Sequence, residues 1–388
     1  MAKFFSQIKT QMRERETAQK ILDLPLSERP IVVYSEDDYT WNQLGPYVLR
    51  VLEDHQLPII YVTSDPNDPR LDNSPSGMSV YVIADSIAAF MPKIDSPVFF
   101  TTMPDLDTFH IKRPQRSSTV TYAFHSLTSI NMVYRRGAFD AYDAFFCAGP
   151  HHHSELERHF SAIGKTGYEL FDIGYPKLDG ISSKYREYQK VHPTETTVLI
   201  APSWGPQNVL AVEGSELISA LADAGYRVVV RPHPAFFESI YPEGQKIVDA
   251  LEKQFNSVGN VIVEKSITSE DSFMEADLMI SDWSGAAFEY ALGTERPVLF
   301  LDVPPKVNNP DWEQLGIVPF EDRMRLELGT IVPPGDPQSA VAATRDMLSD
   351  AGGYRDRLNA LRQETVYNDG TSASAGAAAL AELVARKT

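Results

Sequence analysis

Leu278-Met279-Ile280-Ser281-Asp282-Trp283-Ser284-Gly285-Ala286-Ala287-Phe288-Glu289-Tyr290-Ala291 is the stretch on which the fold turns. An apolar run breaks at a polar turn and restarts with helical spacing, and a second apolar run, Val298 to Leu301, follows. A strand that passes into a helix in this way leaves unpaired backbone N–H groups aimed at one spot, which suits a phosphate or pyrophosphate. Any α/β protein needs such turns, however, and Asp or Ser there can serve only to cap the helix. A second element upstream, Val228-Val229-Val230-Arg231-Pro232-His233-Pro234, favours the anion site. There an apolar strand runs straight into an arginine and a histidine, held by two prolines that stop the chain from continuing as helix or ladder. Together the two elements point to a nucleotide-linked donor.

Working outward, apolar runs alternate with helical patterns along the whole chain, the signature of parallel α/β construction. In the first half, Ile31 to Tyr34, Ile59 to Thr63, Val80 to Ala84, Val98 to Thr101, Phe145 to Ala148 and Leu170 to Ile173 read as strands. Helical periodicity covers Trp41 to Glu53 and His151 to Ile163. Between Gly180 and Thr196 the periodicity lapses, which marks a domain boundary. Beyond it the strands Thr197 to Ala201, Arg227 to Val230, Val261 to Glu264, Leu278 to Ser281 and Val298 to Leu301 alternate with helices at Gly214 to Ala224, Gly244 to Asn256, Ser269 to Ala276 and Ala286 to Leu292. The expected division is an N-terminal unit over residues 1–185, a C-terminal unit over 186–370 and a closing helix over 371–388. Two such units in tandem enclose a cleft, and ligands in parallel sheets sit beyond the carboxyl ends of the strands.

Composition narrows the class of function. The 388 residues, 43% of them hydrophobic, suffice for two cores. No apolar stretch approaches the roughly 20 residues needed to cross a bilayer, and the polar N-terminus does not read as a secretory signal, so a cytoplasmic location is expected. A net charge of −18 argues against a nucleic-acid partner, whose binding rests on clustered Lys and Arg. Residues 1–20 run against that balance, with Lys3, Lys9, Arg13, Arg15 and Lys20 beside Phe4, Phe5, Ile8 and Met12. That pattern fits peripheral contact with the inner face of an anionic membrane, or an amphipathic helix packed on its own domain. Cys147, the lone cysteine, reads as a small hydrophobe at a strand end. His151-His152-His153 are adjacent at a helix start and point in different directions, so a shared metal ion is not expected there.

His125 ends the apolar run Val120-Thr121-Tyr122-Ala123-Phe124. At a strand's carboxyl edge facing a cleft, an imidazole is suited to act as general base. A buried histidine bonded to backbone has the same sequence appearance.

With these pieces assembled, the chain resembles the CDP-glycerol glycerophosphotransferase family, the teichoic-acid polymerases and primases. The resemblance rests on Phe124-His125-Ser126, Gly174-Tyr175-Pro176-Lys177-Leu178-Asp179, Ala201-Pro202-Ser203-Trp204, Arg231-Pro232-His233-Pro234, Ser281-Asp282-Trp283-Ser284, Glu289-Tyr290-Ala291 and Arg296-Pro297-Val298-Leu299-Phe300, and it spans about Thr119 to Asp302. It implies a GT-B fold, two Rossmann-like domains facing across a cleft, and chemistry without a metal or other cofactor. It implies His125 as general base and His233 as the group assisting the leaving nucleotide, with Arg231 orienting that phosphate or packing beneath it. Ser281, Asp282, Ser284 and Gly285 would hold donor phosphates, Glu289 the ribose, Ser203 and Trp204 would also bind the donor nucleotide, and Ser126, Lys177 and Asp179 would complete the cleft. Two motifs depart from the family. Its first is usually His-Gly-Thr followed by Pro-Leu-Lys, where this chain has His125-Ser126-Leu127-Thr128, and its Pro-Arg-x-Asp is here Pro176-Lys177-Leu178-Asp179, which keeps the charge without the planar fork.

The expected reaction is transfer of a phosphopolyol from a CDP-linked donor to a hydroxyl of a glycan or lipid-linked acceptor. The rivals are a GT-B glycosyltransferase or sugar-nucleotide epimerase, and an inactive cleft that only binds a nucleotide or glycan.

Overall fold

The computed structural model describes residues 2–192, 194–265 and 270–387, with side chains from Lys9 onward. Its first sheet holds seven parallel strands, β1 (Ile31–Ser35), β2 (Ile59–Thr63), β3 (Met78–Val82), β4 (Val98–Thr101), β5 (Thr119–Ala123), β6 (Ala144–Cys147) and β7 (Glu169–Asp172), in the order β3-β2-β1-β4-β5-β6-β7. The second holds β8 (Thr197–Ile200), β9 (Arg227–Val230), β10 (Val261–Val263), β11 (Leu278–Ser281), β12 (Val298–Leu301) and β13 (Gly329–Val332), in the order β10-β9-β8-β11-β12-β13. Each sheet is doubly wound, and the architecture is the expected GT-B arrangement of two Rossmann-like units.

Unbroken apolar strands follow from this layout, because a parallel sheet covered on both faces buries every residue. In the first sheet alternate residues feed two cores: Val32, Tyr34, Ile60 and Phe99 pack on one face, and Ile31, Val33, Tyr61 and Phe100 on the other. The edge strand β13 went unread in the sequence. Only Ile331 and Val332 mark it between Gly329 and Pro333, too short a signal to distinguish from a loop.

Helix limits differ where local geometry intervenes. The helix expected from Gly214 begins at Val209 and runs to Asp223, with a break at Glu213 (φ −151°) one residue before the expected start. The helix expected from Ser269 spans Asp271–Glu275, and Ser269 itself lies outside the described residues. Helix Pro176–Glu187 sends Leu178 and Ile181 into the second sheet's core, where the bare backbone of Gly293 admits Ile181. The same helix also packs on helix Asp38–Arg50 of the first unit, so it lies between the two units.

The C-terminal helix Ser372–Ala385 returns to the first unit, where Ala377, Leu380 and Leu383 join the core that holds Val33 and Phe100. The N-terminal helix Ala2–Asp23 docks on the same unit through Ala18 and Ile21. Its buried Glu14 accepts backbone N–H bonds from Ala84, Asp85 and Ser86, at 2.7–3.2 Å. Lys9, Met12, Arg13, Arg15 and Lys20 stay exposed, whereas the side chains of Lys3, Phe4, Phe5 and Ile8 lie outside the described residues. No helix among the described residues is long and apolar enough to cross a membrane.

Candidate active site

The carboxyl ends of β5, β8, β9 and β11 converge on one cavity of about 1020 Å³ between the two sheets. His125, Ser126, Lys177, Ser203, Trp204, Arg231, His233, Ser284, Gly285 and Glu289 all line it. The two histidines thus come from opposite units onto one space.

His125 sits just past β5, its ring held from behind. Nδ1 lies 3.3 Å from the Thr102 carbonyl oxygen and 2.9 Å from Thr102 Oγ1. A carbonyl only accepts, so the ring proton belongs on Nδ1 and the lone pair on Nε2. Nε2 in turn accepts from the Tyr134 hydroxyl at 3.3 Å. Burial, reinforced by Lys177, lowers the pKa of His125 below the ordinary imidazole value, against the opposing pull of Thr102 and Glu289. The imidazole is therefore neutral at neutral pH, the state a general base requires.

The loop carrying His125 is fixed by groups whose role the sequence concealed. His151 and His152 each donate from Nε2 to a loop carbonyl, Leu127 at 2.8 Å and Thr128 at 3.0 Å. His151 also stacks on Phe320. Glu155 accepts from the N–H of Ile130 at 2.6 Å, and Glu321, from the second unit, accepts from the N–H of Ser129 at 3.0 Å. These histidines are loop braces; among the described residues no set of three His, Cys, Asp or Glu side chains gathers as metal ligands. Cys147 is buried, and burial raises its thiol pKa well above the usual value.

Opposite His125 stands the N-terminus of a helix of the second unit. Ser284 caps helix Gly285–Thr294, its Oγ accepting from Ala286 N–H at 3.4 Å, and the first turn opens on the cavity. Gly285 is required sterically, since a Cβ there would come within 2.7 Å of Ser126 Oγ. The bulk added at Ser126 is thus accommodated by a missing side chain across the cleft. His233 Nδ1 accepts from Ala235 N–H at 3.1 Å, which places the proton on Nε2. Burial, with Lys306 and Lys177 adding to it, lowers its pKa to about 3. His233 is therefore a neutral Nε2–H donor, since protonating Nδ1 would set one N–H against another. Arg231 is held by Glu264 at 3.2 Å and Ser272 Oγ at 3.1 Å and lies over Phe273.

Three expected ligands do not line the cavity. Ser281 is buried in β11 and donates to the Ala201 carbonyl at 2.6 Å. Asp282 is also fully buried, its carboxylate accepting from the N–H groups of Ser203 (2.7 Å) and Val209 (3.0 Å). Asp179 accepts from Gly370 N–H at 2.9 Å and Ser372 N–H at 3.0 Å, which anchors the returning C-terminal helix. All three satisfy backbone groups, Ser281 a carbonyl acceptor and the two carboxylates N–H donors, the demand that a buried polar side chain meets first. Glu289 does face the cavity, but Lys177 Nζ lies 2.7 Å from one carboxylate oxygen and the Tyr175 hydroxyl donates to the other at 2.7 Å. Burial works against the charge on Lys177, yet Glu289 and Tyr39 raise its pKa above the ordinary value. The Tyr175 hydroxyl also lies 2.9 Å from the His125 carbonyl, so it ties the His125 loop to helix Gly285–Thr294.

Lys306 was missed. It follows β12 at Pro304-Pro305 and places Nζ 3.3 Å from the ring centroid of Trp204, whose ring lies 6.4 Å from that of His233. The signal was present, a cation just beyond a strand's carboxyl end, the position that singled out Arg231.

Comparison with known proteins agrees with this geometry. Residues 126–304 match the model of the CDP-glycerol:poly(glycerophosphate) glycerophosphotransferase family. No curated protein matches the sequence significantly. Among solved structures, the wall teichoic acid polymerase TagF, determined as histidine variants and also soaked with CDPG, is similar at 14% identity, with 98% of each chain covered and a TM-score of 0.61. UDP-GlcNAc 2-epimerase from Neisseria meningitidis, bound to UDP-GlcNAc, is similar at 10% identity over 92% of this chain and 99% of that one, with a TM-score of 0.54. These likenesses show the fold, and residues 126–304 carry a sequence match to the CDP-glycerol:poly(glycerophosphate) glycerophosphotransferase family.

Proposed function

We propose that the protein transfers a glycerol phosphate-like phosphopolyol from a CDP-linked donor to a hydroxyl of a glycan or lipid-linked acceptor, in synthesis of a cell-envelope polymer. One observation carries the reading: a neutral imidazole that lines the cavity, its Nε2 met by the Tyr134 hydroxyl, and a helix N-terminus of the other unit share the same space. The acceptor oxygen attacks the distal phosphorus as its proton passes to His125 Nε2. The new P–O bond forms as the bond to the bridging oxygen breaks, and a nucleoside monophosphate departs with that electron pair. The first-turn N–H groups at Ser284 and Gly285 and the Nε2–H of His233 offset the charge that builds there. This reaction calls on no cofactor.

Product analysis with CDP-glycerol tests the proposal. Release of CMP with glycerol phosphate on the acceptor supports it; a nucleoside diphosphate or an isomerised sugar from a UDP-sugar overturns it in favour of glycosyl transfer or epimerisation. Nucleotide binding without any turnover would mark a binding protein.

Ser284→Ala removes a hydroxyl at the phosphate end of the cavity. A hydrogen bond to a charged group is worth about 1.5–3 kcal/mol, so donor Kd is expected to rise roughly ten- to hundredfold by calorimetry. Unchanged affinity would unseat the phosphate loop. The exposed Lys9, Arg13 and Arg15 also support peripheral contact of residues 1–20 with an anionic bilayer. Cosedimentation with phosphatidylglycerol vesicles, weakened by Arg13→Glu and by salt, is the expected result, and equal recovery with neutral vesicles would exclude it.

A further inference from the structure

We propose that Lys306 is the cation that meets the donor's pyrophosphate, delivered by a strap that the second unit lays across the cleft. This deepens the transferase reading and rests on its assignment of the cavity to a nucleotide diphosphate. Four Lys and Arg side chains line the cavity, and three are neutralised: Lys177 by Glu289, Lys184 by Asp271 at 3.1 Å and Arg231 by Glu264. Lys306 has no carboxylate within ion-pair distance among the described residues, and its ammonium rests on the face of Trp204. An ammonium withdrawn from water without a counter-ion is unfavourable, and an anionic ligand in the cavity removes that penalty.

The strap places this charge. From β12 the chain runs past Lys306 and fastens onto the segment of the first unit that carries Tyr134. Asn308 N–H donates to the Met132 carbonyl at 3.0 Å, Asn308 Nδ2 to the Val133 carbonyl at 2.7 Å and Asn309 Nδ2 to the Asn131 carbonyl at 2.8 Å. Lys306 is therefore set by the same segment that touches His125 Nε2 through Tyr134. Cation and base are held in register across the cleft. Because His233 is neutral, Lys306 supplies the formal charge that the helix N-terminus and His233 lack. Burial lowers the Lys306 pKa to about 8, with Asp282 pulling the other way, so the charge is present at neutral pH and titratable just above it.

The test is calorimetric titration of the full chain with inorganic pyrophosphate. Lys306→Met is expected to raise Kd at least tenfold at pH 7, and Lys306→Arg to hold it within threefold. Wild-type affinity should fall relative to that of Lys306→Arg between pH 7.5 and 9.5, since guanidinium does not deprotonate there. A folded Lys306→Met that binds within twofold of wild type overturns the inference, and so do superimposable pH profiles for wild type and Lys306→Arg, a comparison that stands even where Lys306→Met does not fold. Loss of pyrophosphate binding in Lys306→Met without glycerol phosphate transfer by wild type would uphold this inference and sink the transferase reading. CMP release unaffected by Lys306→Met, with pyrophosphate affinity also unchanged, would do the reverse.

Discussion

His125→Ala is expected to lower turnover by about 10² to 10⁴, the usual contribution of a positioned general base, while donor affinity changes little. The split follows from position. His125 contacts Thr102 and Tyr134 within the first unit, whereas the helix N-terminus and His233 stand on the second. Single-turnover rates and calorimetry on the same preparation separate the two effects. Turnover within threefold of wild type would remove His125 from the mechanism. The pH profile adds a signature, because burial holds the His125 pKa below its ordinary value of 6.5. The base is active only when unprotonated, so kcat/KM should be flat through neutral pH and decline as pH falls through a value below 6.5. A decline beginning near pH 7 or above would mean that the titrating group is not this imidazole. Tyr134→Phe should keep most of the rate, since Tyr134 occupies Nε2 only until an acceptor hydroxyl replaces it.

How much of this was legible depends on what each residue answers to. The strands could be read because a sheet buried on both faces demands continuous apolar runs, and His125, Arg231 and His233 could be read because a polar residue ending such a run stands at a strand's carboxyl edge. Direction was not legible. Ser281 and Ser284 stand three residues apart around one turn, yet Ser281 still belongs to β11 and bonds to Ala201, whereas Ser284 begins the helix and faces the cavity. Partners distant in sequence were equally hidden. Nothing local says that Asp179 answers to Gly370 and Ser372, or that His151 and His152 hold the loop behind His125. Lys306 stands past a strand's carboxyl end as Arg231 does, but what sets it apart, the pairing of the other cations lining the cavity, is a property of the assembled cleft.

Asp282→Ala separates these two kinds of role most sharply, because both make it damaging but by different routes. A carboxylate that gripped the donor would, once removed, cost affinity and leave the fold intact. The observed carboxylate instead accepts from Ser203 N–H and Val209 N–H, completely out of solvent. Removing it strands two buried donors, each costing about 1–3 kcal/mol, so a stability loss of about 2–6 kcal/mol is expected from urea denaturation. Asp282→Asn should fall between, because the amide keeps one acceptor but turns an NH₂ toward the other donor. Donor affinity should fall in parallel with stability, since Ser203 and Trp204 lose the anchor that holds their turn against the cavity. A folded Asp282→Ala protein within 1 kcal/mol of wild type that no longer binds nucleotide would return Asp282 to the role of phosphate ligand. Loss of stability in step with affinity would place it beneath the site, where it fixes the turn on which the donor rests.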